Sequence, residues 1–99
     1  MERSAVIERL RRVEDDLRRR GVAALYLFGS VARDAASPES DIDLFFDSTE
    51  GSRLSLLDVV GIRHFLEGVL GAPIDVMTRS SLHPLLRADI EADAVSVFS

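Results

Sequence analysis

Three acidic residues and a glycine–serine pair are the side chains of this sequence whose types and spacing could do chemistry. Gly29 and Ser30 follow an apolar run, Asp41 and Asp43 come after ten intervening residues, and Asp75 lies in a later apolar run. Two carboxylates two residues apart on a strand project from one face, with Cα atoms about 6.5–7 Å apart. Carboxylate oxygens are ligands that Mg²⁺ prefers. Taken alone, an Asp-x-Asp pair is more often part of a solvated sheet face.

The Gly29-Ser30 pair lies where a strand is expected to end and a helix to begin. Glycine lets a phosphate approach the backbone, and the free N–H groups at a helix start attract anions. The serine hydroxyl can donate one further hydrogen bond. A Gly-Ser pair that follows a strand is usually an ordinary turn, so the dipeptide alone does not establish a phosphate site.

Asp75 interrupts the third apolar run at a position where a strand should be apolar. Its parity places it opposite Ile74 and Val76. It therefore shares a side with Asp41 and Asp43 if the apolar faces of the two strands belong to one core. A third carboxylate there would complete a two-metal site, which stabilises the attacking and leaving oxygens of phosphoryl transfer.

Composition limits the class of protein. The chain has 99 residues, a net charge of −5 and no cysteine. The length predicts a single domain over residues 1–99, and the lack of cysteine excludes disulfides, thiolate metal sites and thiol nucleophiles. The acidic balance argues against a general nucleic-acid-binding surface. The longest apolar run, residues 22–28, is far short of the roughly 20 residues that span a bilayer. The start of the chain has no apolar signal core, so we expect a cytoplasmic protein.

Hydrophobic periodicity predicts helices and strands that alternate along the chain. Helical spacing covers residues 4–20 and 54–70, with Ser4 as the N-cap and Gly21 as the stop of the first helix. A short helical turn begins at Ser30. The last predicted helix opens within residues 80–84 and carries three apolar side chains, Leu85, Leu86 and Ile90. Strands are predicted over residues 22–28, 41–47, 73–78 and 95–98, and a turn over residues 36–40.

The second strand alternates between an apolar and an acidic face. The apolar face consists of Ile42, Leu44 and Phe46, and the opposite face of Asp41, Asp43, Phe45 and Asp47. Sheets covered on both faces need uninterrupted apolar strands, which this pattern does not supply. We therefore predict an α+β fold in two layers, with helices on one face of a small mixed sheet and an open acidic face.

These residues together spell a known motif. The chain reads LFGSVAR over residues 27–33 and SDIDL over residues 40–44, with Asp75 on a later strand. This arrangement resembles the signature of the DNA polymerase β-like nucleotidyltransferase superfamily, and most closely its small prokaryotic branch, the minimal nucleotidyltransferases. The tail from Leu82-His83-Pro84 to Val95 is also similar to that branch, so the resemblance covers nearly the whole chain.

The resemblance implies a role for each motif residue. Gly29 and Ser30 would bind the β- and γ-phosphates of a nucleotide such as ATP, and Arg33 would lie near them. The implied ligands of two Mg²⁺ ions, which are also the implied catalytic residues, are Asp41, Asp43 and Asp75. The last of these would also help to deprotonate the acceptor hydroxyl.

The resemblance also implies a reaction and a partner. The reaction is Mg²⁺-dependent transfer of a nucleoside monophosphate, AMP from ATP, to a hydroxyl of another protein. In the minimal family the usual partner is a HEPN-domain ribonuclease toxin, which is neutralised by AMP transfer to a tyrosine. This chain would then be the antitoxin, in a homo- or hetero-oligomer, with no direct contact to nucleic acid or membrane.

Two other functions remain open at this point. The fold could neutralise its partner by occlusion alone, as a binding module whose carboxylates are vestigial. It could also be one subunit of a small-molecule nucleotidyltransferase, with a partner subunit that completes the acceptor pocket.

An apolar patch is expected around the acidic site. Four side chains share the parity of the aspartates, namely Tyr26, Phe28, Phe45 and Met77. An apolar patch on an open face is typical of a docking surface, which here would receive the acceptor protein.

The remaining polar residues have simpler interpretations. Asp34 stands where many relatives have glycine, and its carboxylate either weakens nucleotide binding or caps the loop. We expect His64 to pack on its helix and His83 to start one, rather than to act as a ligand or a base. The arginines at 18–20 complement the dipole of a helix C-terminus more simply than they form a nucleic-acid patch.

Overall fold

The computed structural model describes residues 2–34 and 41–99, and a four-stranded sheet lies at its centre. The strands are β1 Val22–Phe28, β2 Ile42–Ser48, β3 Ile74–Thr78 and β4 Val95–Phe98. Their order across the sheet is β3–β2–β1–β4, with β1 antiparallel to β2 and β4, and with β2 parallel to β3. The predicted strands are confirmed to within one residue at each end. The turn predicted over residues 36–40 lies outside the described residues.

The described ranges contain five α-helices and one 3₁₀ turn. They are α1 Arg3–Arg11, α2 Glu14–Arg19, α3 Gly29–Ala32, α4 Leu56–Leu70, α5 Arg87–Asp93 and the 3₁₀ turn Arg79–Ser81. None of these helices combines the length and the apolar character needed to cross a bilayer.

The helix predicted over residues 4–20 is in fact two helices. α1 ends at Arg11, α2 begins at Glu14, and Val13 between them has φ −109° and ψ 17°. The last turn of α1 carries basic residues and the first turn of α2 carries acidic ones. Positive charge at a helix C-terminus and negative charge at an N-terminus both interact favourably with the helix dipole, so the charges favour a break here. The predicted N-cap Ser4 is also wrong, because Glu2 holds that position. Gly21 follows α2 with φ +98°, as its predicted role as a stop requires.

The last helix begins later than predicted. Leu82 is extended and buried, with 4% of its surface exposed, and α5 begins only at Arg87. Proline disfavours a helical conformation in the residue before it, here His83. The ring of His83 also accepts the N–H of Leu85 at 3.2 Å, which favours a local turn.

The core lies between one face of the sheet and the helices α1, α2 and α4. It consists of aliphatic side chains and two phenylalanines, and includes Val6, Leu10, Leu17, Ile62, Leu66 and Leu70 from the helices, and Val22, Leu25, Leu27, Ile42, Leu44, Phe46, Ile74, Val76, Val97 and Phe98 from the strands. The predicted α+β class, with an acidic face opposite the helical layer, is confirmed. α5 borders that acidic face, where it contacts α3 and β1.

α4 is the crossover that allows β2 and β3 to run parallel, since parallel neighbours cannot be joined by a tight turn. It begins two residues later than predicted, because Ser55 caps it. Asp58 donates its N–H to the Ser55 hydroxyl at 3.2 Å, and its carboxylate accepts the Ser55 N–H at 2.8 Å. Gly71 ends the helix in a left-handed conformation, as predicted.

Candidate active site

Asp43 and Asp75 are register partners across the parallel β2–β3 pair. Register partners on neighbouring strands project from the same face, with the strands about 4.8 Å apart. Asp41 directly precedes β2 and by parity faces the same side. Asp41 and Asp75 are exposed and Asp43 is half-buried, so the three carboxylates lie on the face away from the helical core.

The surroundings of Asp43 disfavour its charge. Burial raises the pKa of Asp43 above its ordinary value of 3.8, and the charges of Asp75 and Asp41 raise it further, whereas the Arg33 guanidinium lowers it. Like charges at short range penalise the ionised form, and a bound cation would remove that penalty. The site is therefore electrostatically suited to a cation.

The donor set fits Mg²⁺ in an open arrangement. Within residues 2–34 and 41–99, no three acidic or histidine side chains are already grouped so that they could hold a metal ion. Mg²⁺ does not need a closed protein cage, since it usually binds one or two carboxylates together with substrate phosphates and water. The role of Asp41, Asp43 and Asp75 as metal ligands stays a prediction.

Gly29 brings the backbone against this group of carboxylates. Its φ of +75° lies in the left-handed region, which only glycine adopts at low cost. A Cβ placed on Gly29 would overlap the carboxylate of Asp43. The preceding residue, Phe28, is the register partner of Asp43, which explains the close approach. Both the backbone conformation and the contact therefore require glycine at this position.

Ser30 and Arg33 belong to the same corner of the molecule. Ser30 is the second residue of α3 and Arg33 ends the helix. The Arg33 guanidinium is near enough to lower the pKa of Asp43, and its Nη1 lies 3.8 Å from Oδ2 of Asp93. The structure thus brings Gly29 against Asp43 and Arg33 near it, and Ser30 directly follows Gly29 in the chain. Phosphate binding by Gly29, Ser30 and Arg33 stays a prediction.

Asp34 holds the end of this corner onto α1. Its φ of +53° lies in the left-handed region, which is unusual for a residue other than glycine. Its carboxylate lies 3.2 Å from the Arg3 guanidinium, which also donates to the carbonyl of Ala32 at 3.0 Å. Of the two roles considered for Asp34, the structure favours the structural one.

A second polar group occupies the other end of the same strand pair. Nε and Nη2 of Arg79 donate to the two carboxylate oxygens of Asp47 at 2.8 and 2.9 Å, and Nη1 donates to Glu91 at 2.5 Å. The guanidinium carbon lies 4.9 Å from the ring centroid of Tyr26 and 5.0 Å from that of Phe45. We call Arg79, Asp47 and Glu91 the arginine cluster. It joins α5 to the sheet.

Sequence inspection missed the arginine cluster, although a signal for it was present. Asp47 and Arg79 are 32 positions apart, the same separation as Asp43 and Asp75. The register that pairs the two aspartates therefore also brings Asp47 next to Arg79.

The predicted apolar patch on the acidic face is wrong for Phe45. Its side chain is 1% exposed, because Arg79 covers it and Tyr26 stacks on it with ring centroids 4.9 Å apart. Tyr26, Phe28 and Met77 are half-buried. The strongly exposed large apolar side chains among the described residues lie elsewhere, on α4 and before α5: Leu56, Leu57, Val60, Leu85 and Leu86.

The two histidines lie outside this site. His64 is exposed on α4, with Nδ1 3.6 Å from a carboxylate oxygen of Glu67, so the prediction that it packs is wrong. The helix turns Ile62 and Leu66 inward instead. His83 makes the local turn contact described above.

Comparison with known proteins assigns the chain to a family. The nucleotidyltransferase domain family matches residues 10–97. A relative from Methanocaldococcus jannaschii, with the provisional name of protein adenylyltransferase, is 42% identical over 87 residues, which cover 88% of this chain and 91% of the relative. A solved structure, provisionally named a minimal nucleotidyltransferase, has a TM-score of 0.80 and 34% identity, and the match covers 96% of this chain and 95% of that one. The chain therefore belongs to the nucleotidyltransferase domain family and is a minimal nucleotidyltransferase.

Two toxin–antitoxin structures share the fold at lower identity. A chain of a toxin–antitoxin structure with AMP-PNP has a TM-score of 0.76 and 18% identity, over 94% of this chain and 73% of that one. A chain of the complex between the tri-AMPylated Shewanella oneidensis HEPN toxin and an MNT antitoxin has a TM-score of 0.69 and 16% identity, over 98% of this chain and 72% of that one. At these identities the likeness establishes the fold alone.

Proposed function

We propose that this minimal nucleotidyltransferase uses Mg²⁺ to transfer AMP from ATP to a tyrosine hydroxyl of a HEPN-type toxin, and that it acts as the antitoxin of that protein. The register of Asp43 and Asp75 on one face, with Gly29 against Asp43, carries the proposal. The name of the Methanocaldococcus jannaschii relative supports a protein acceptor. The Shewanella oneidensis complex supports a HEPN partner.

The residues of the site divide the binding of the nucleotide between them. Asp41, Asp43 and Asp75 would hold Mg²⁺, which when bound offsets the negative charge of the triphosphate and of the leaving pyrophosphate. Gly29, which has no side chain, lets the phosphates approach the backbone. Arg33 adds a positive charge at the same corner.

The position of Asp75 indicates where the acceptor enters. In the transfer, the acceptor oxygen forms a bond to the α-phosphorus while the bond from that phosphorus to the pyrophosphate oxygen breaks. Asp75 takes the proton of the acceptor hydroxyl. Asp75 lies on the edge strand β3, and Gly29 lies on the opposite side of Asp43. The acceptor therefore approaches from the β3 edge, and the nucleotide lies towards β1.

The test combines the protein with α-labelled ATP, Mg²⁺ and the product of the neighbouring gene, which the proposal identifies as the HEPN-type partner. We expect label on a tyrosine of the partner, located by mass spectrometry, which is lost on chelation and restored by Mg²⁺. Asp43→Asn should abolish the label. Asp15→Asn is the matched control, since it makes the same change of charge at an exposed position of α2.

The same variants separate catalysis from occlusion. Co-expression with the partner measures whether each variant still protects the cell. Loss of protection in folded Asp43→Asn supports catalysis. An unlabelled partner together with full protection by Asp43→Asn would overturn the proposed transfer and indicate neutralisation by occlusion.

A further inference from the structure

The helix that carries the predicted phosphate residues is too short to fix its own position. α3 is four residues long, and the N–H of Arg33 that closes its one turn donates to the carbonyl of Gly29 at 3.3 Å. A single helical turn is unfavourable in isolation, so it forms only where contacts from other elements hold it. Gly29 meets Asp43 at the start of α3, and Val31 and Ala32 are buried along it. The end of α3, where Arg33 lies, needs a contact of its own.

Arg3, the first residue of α1, supplies that contact. Its Nη1 donates to the carbonyl of Ala32 at 3.0 Å, and its Nη2 lies 3.2 Å from Oδ2 of Asp34. The Ala32 carbonyl is one of the groups that the end of a helix leaves without an intrahelical donor. One guanidinium therefore contacts the residues on both sides of Arg33.

The contacts of Arg3 join elements that are far apart in the sequence. Arg3 precedes Ala32 by 29 positions. By contrast, Arg12 pairs with Glu8, four positions away on the same helix, and makes no other polar contact within residues 2–34 and 41–99. The contact of Arg12 stabilises α1 alone, whereas the contacts of Arg3 hold α1 against the end of α3.

The side chain of Arg33 depends on the backbone that Arg3 holds. Among the described residues its ion pair is with Asp93, at 3.8 Å, and its side chain is 55% exposed. An ion pair of that length and exposure holds a side chain only weakly. A long side chain converts a small rotation of its backbone into a large displacement of its guanidinium, and displacements of about 1 Å are enough to weaken a functional contact. The direction of the Arg33 guanidinium is therefore set mainly by the backbone around it.

We propose that Arg3 is a positioning residue for the nucleotide, which holds Ala32 and Asp34 and thereby directs the Arg33 guanidinium at the phosphates. The inference rests on the proposed function and adds α1, which carries none of the motif residues, to the elements that determine nucleotide affinity. Arg3 acts through Arg33 and does not itself contact the nucleotide.

The test measures binding of a non-hydrolysable α,β-methylene analogue of ATP, in the presence of Mg²⁺, by calorimetry. Arg3→Met should weaken binding by about three- to tenfold, as the loss of one hydrogen bond and one half-exposed ion pair allows. Arg3→Lys should recover only part of this affinity, because an ammonium group lacks the planar fork that reaches both partners. Arg12→Met is the matched control, since it removes the same charge from the same helix, and it should bind as the wild type does.

A double-mutant cycle separates positioning from a loss of stability or of charge. Arg33→Met should itself weaken binding, and the addition of Arg3→Met should then cause little further loss, because the group that Arg3 directs is absent. A general loss of stability, or a long-range attraction between Arg3 and the phosphates, would lower the affinity by the same factor in both backgrounds. Thermal unfolding shows that each variant is folded at the temperature of the binding measurement.

Asp34→Asn gives a second measurement that leaves Arg3 in place. Asparagine tolerates the left-handed φ of this position, so the substitution removes the ion pair without new backbone strain. It also removes a negative charge near the phosphates, which by itself would tighten binding. Weaker binding by Asp34→Asn therefore supports the positioning role, and tighter binding contradicts it.

Three further results would overturn the role of Arg3. They are wild-type affinity in Arg3→Met, full recovery in Arg3→Lys, and equal losses in the two backgrounds of the cycle. Transfer of AMP to the partner by the wild type would then still support the proposed function. A wild type that binds no analogue and labels no partner would overturn both.

Discussion

The two ends of the β2–β3 pair carry charged side chains in opposite electrostatic states. At one end Asp43 faces Asp75, and burial and the neighbouring carboxylates raise the pKa of Asp43. At the other end Asp47 meets Arg79, and the hydrogen bond to Asp47 raises the pKa of Arg79. A raised pKa disfavours the charged form of an acid and favours that of a base. The charge of Asp43 is therefore disfavoured at one end of the strand pair, whereas the charge of Arg79 is stabilised by Asp47 at the other.

This difference separates a functional site from a structural one. The arginine cluster is complete within the protein, covers Phe45 and fixes α5, so it needs no ligand. Asp43 is repelled by Asp41 and Asp75, and Arg33 offsets only part of that repulsion, so a bound cation would stabilise its charge. A perturbed carboxylate of that kind is typical of sites that act on a ligand.

Removal of the charge of Asp43 should have the largest effect, and that effect should be on AMP transfer. Asp43→Asn keeps the shape of the side chain but removes a predicted ligand, so AMP transfer should fall on the order of a thousandfold or more. Because the substitution also relieves repulsion, the melting temperature should stay the same or rise. Transfer assays and thermal unfolding on the same samples measure both effects. A large fall in melting temperature would show that Asp43 is mainly structural.

Gly29→Ala probes the contact between the backbone and Asp43, with Gly51→Ala as its control. Both glycines have a left-handed φ, +75° and +80°, so alanine costs each of them about 1–2 kcal/mol of backbone strain. Only the Cβ at Gly29 meets the Asp43 carboxylate, whereas at Gly51 nothing lies within 4 Å. We expect the free energy of unfolding to fall by about 1–3 kcal/mol more in Gly29→Ala than in Gly51→Ala. Urea denaturation measures both, and equal losses would contradict the close contact.

Arg79→Met removes the central cation of the arginine cluster. It leaves Asp47 and Glu91 without their partner, while the methionine side chain can still cover Phe45. Loss of the two hydrogen bonds to Asp47 should lower the free energy of unfolding by about 2 kcal/mol, discounted for the partial exposure of the pair. Arg79→Lys should recover only part of this loss, because lysine lacks the planar fork that bonds both oxygens of Asp47. Urea denaturation is the measurement. If Arg79→Met were as stable as the wild type, the arginine cluster would not hold the fold.

The pH dependence of stability should give the smallest effect. The folded protein holds the Asp43 proton to higher pH than the unfolded chain does. Its contribution to stability is therefore fully present below pH 3.8 and is lost as the pH rises through the raised pKa. Without Mg²⁺, the advantage of Asp43→Asn over the wild type in melting temperature should grow across this window and then level off. Thermal unfolding of both proteins at a series of pH values measures it, and a constant difference would contradict the assigned shift.

Much of the fold follows from short-range patterns. The alternation around Asp43 and Asp75 predicted both strands and the face of each carboxylate, because successive side chains of a strand must point to opposite sides. The motif residues around Gly29 also lie where the pattern put them, between a strand and a helical turn. These features depend on neighbours in sequence alone.

The errors share a different origin. Helical spacing runs through Val13 without a gap, and the break there shows only in the exchange of basic for acidic residues around it. Parity places Phe45 on the open face, but it says nothing about which side chains cover that face. Arg79, whose guanidinium carbon lies 5.0 Å from the centre of the Phe45 ring, directly follows β3. The pattern of β2 therefore does not show that Arg79 covers Phe45. The late start of α5 reflects the burial of Leu82, which depends on the whole core.

The amino-acid sequence by itself determined the kinds of element, the inward and outward faces of the strands, and the set of acidic residues able to hold a cation. Steric preferences and side-chain periodicity act over a few residues, so they can be read directly. The tertiary structure alone decided which charges meet. It placed Asp43 beside Asp75 and paired Arg79 with Asp47. Strand register and helix docking arise from the packing of many distant side chains at once, and no local pattern contains them.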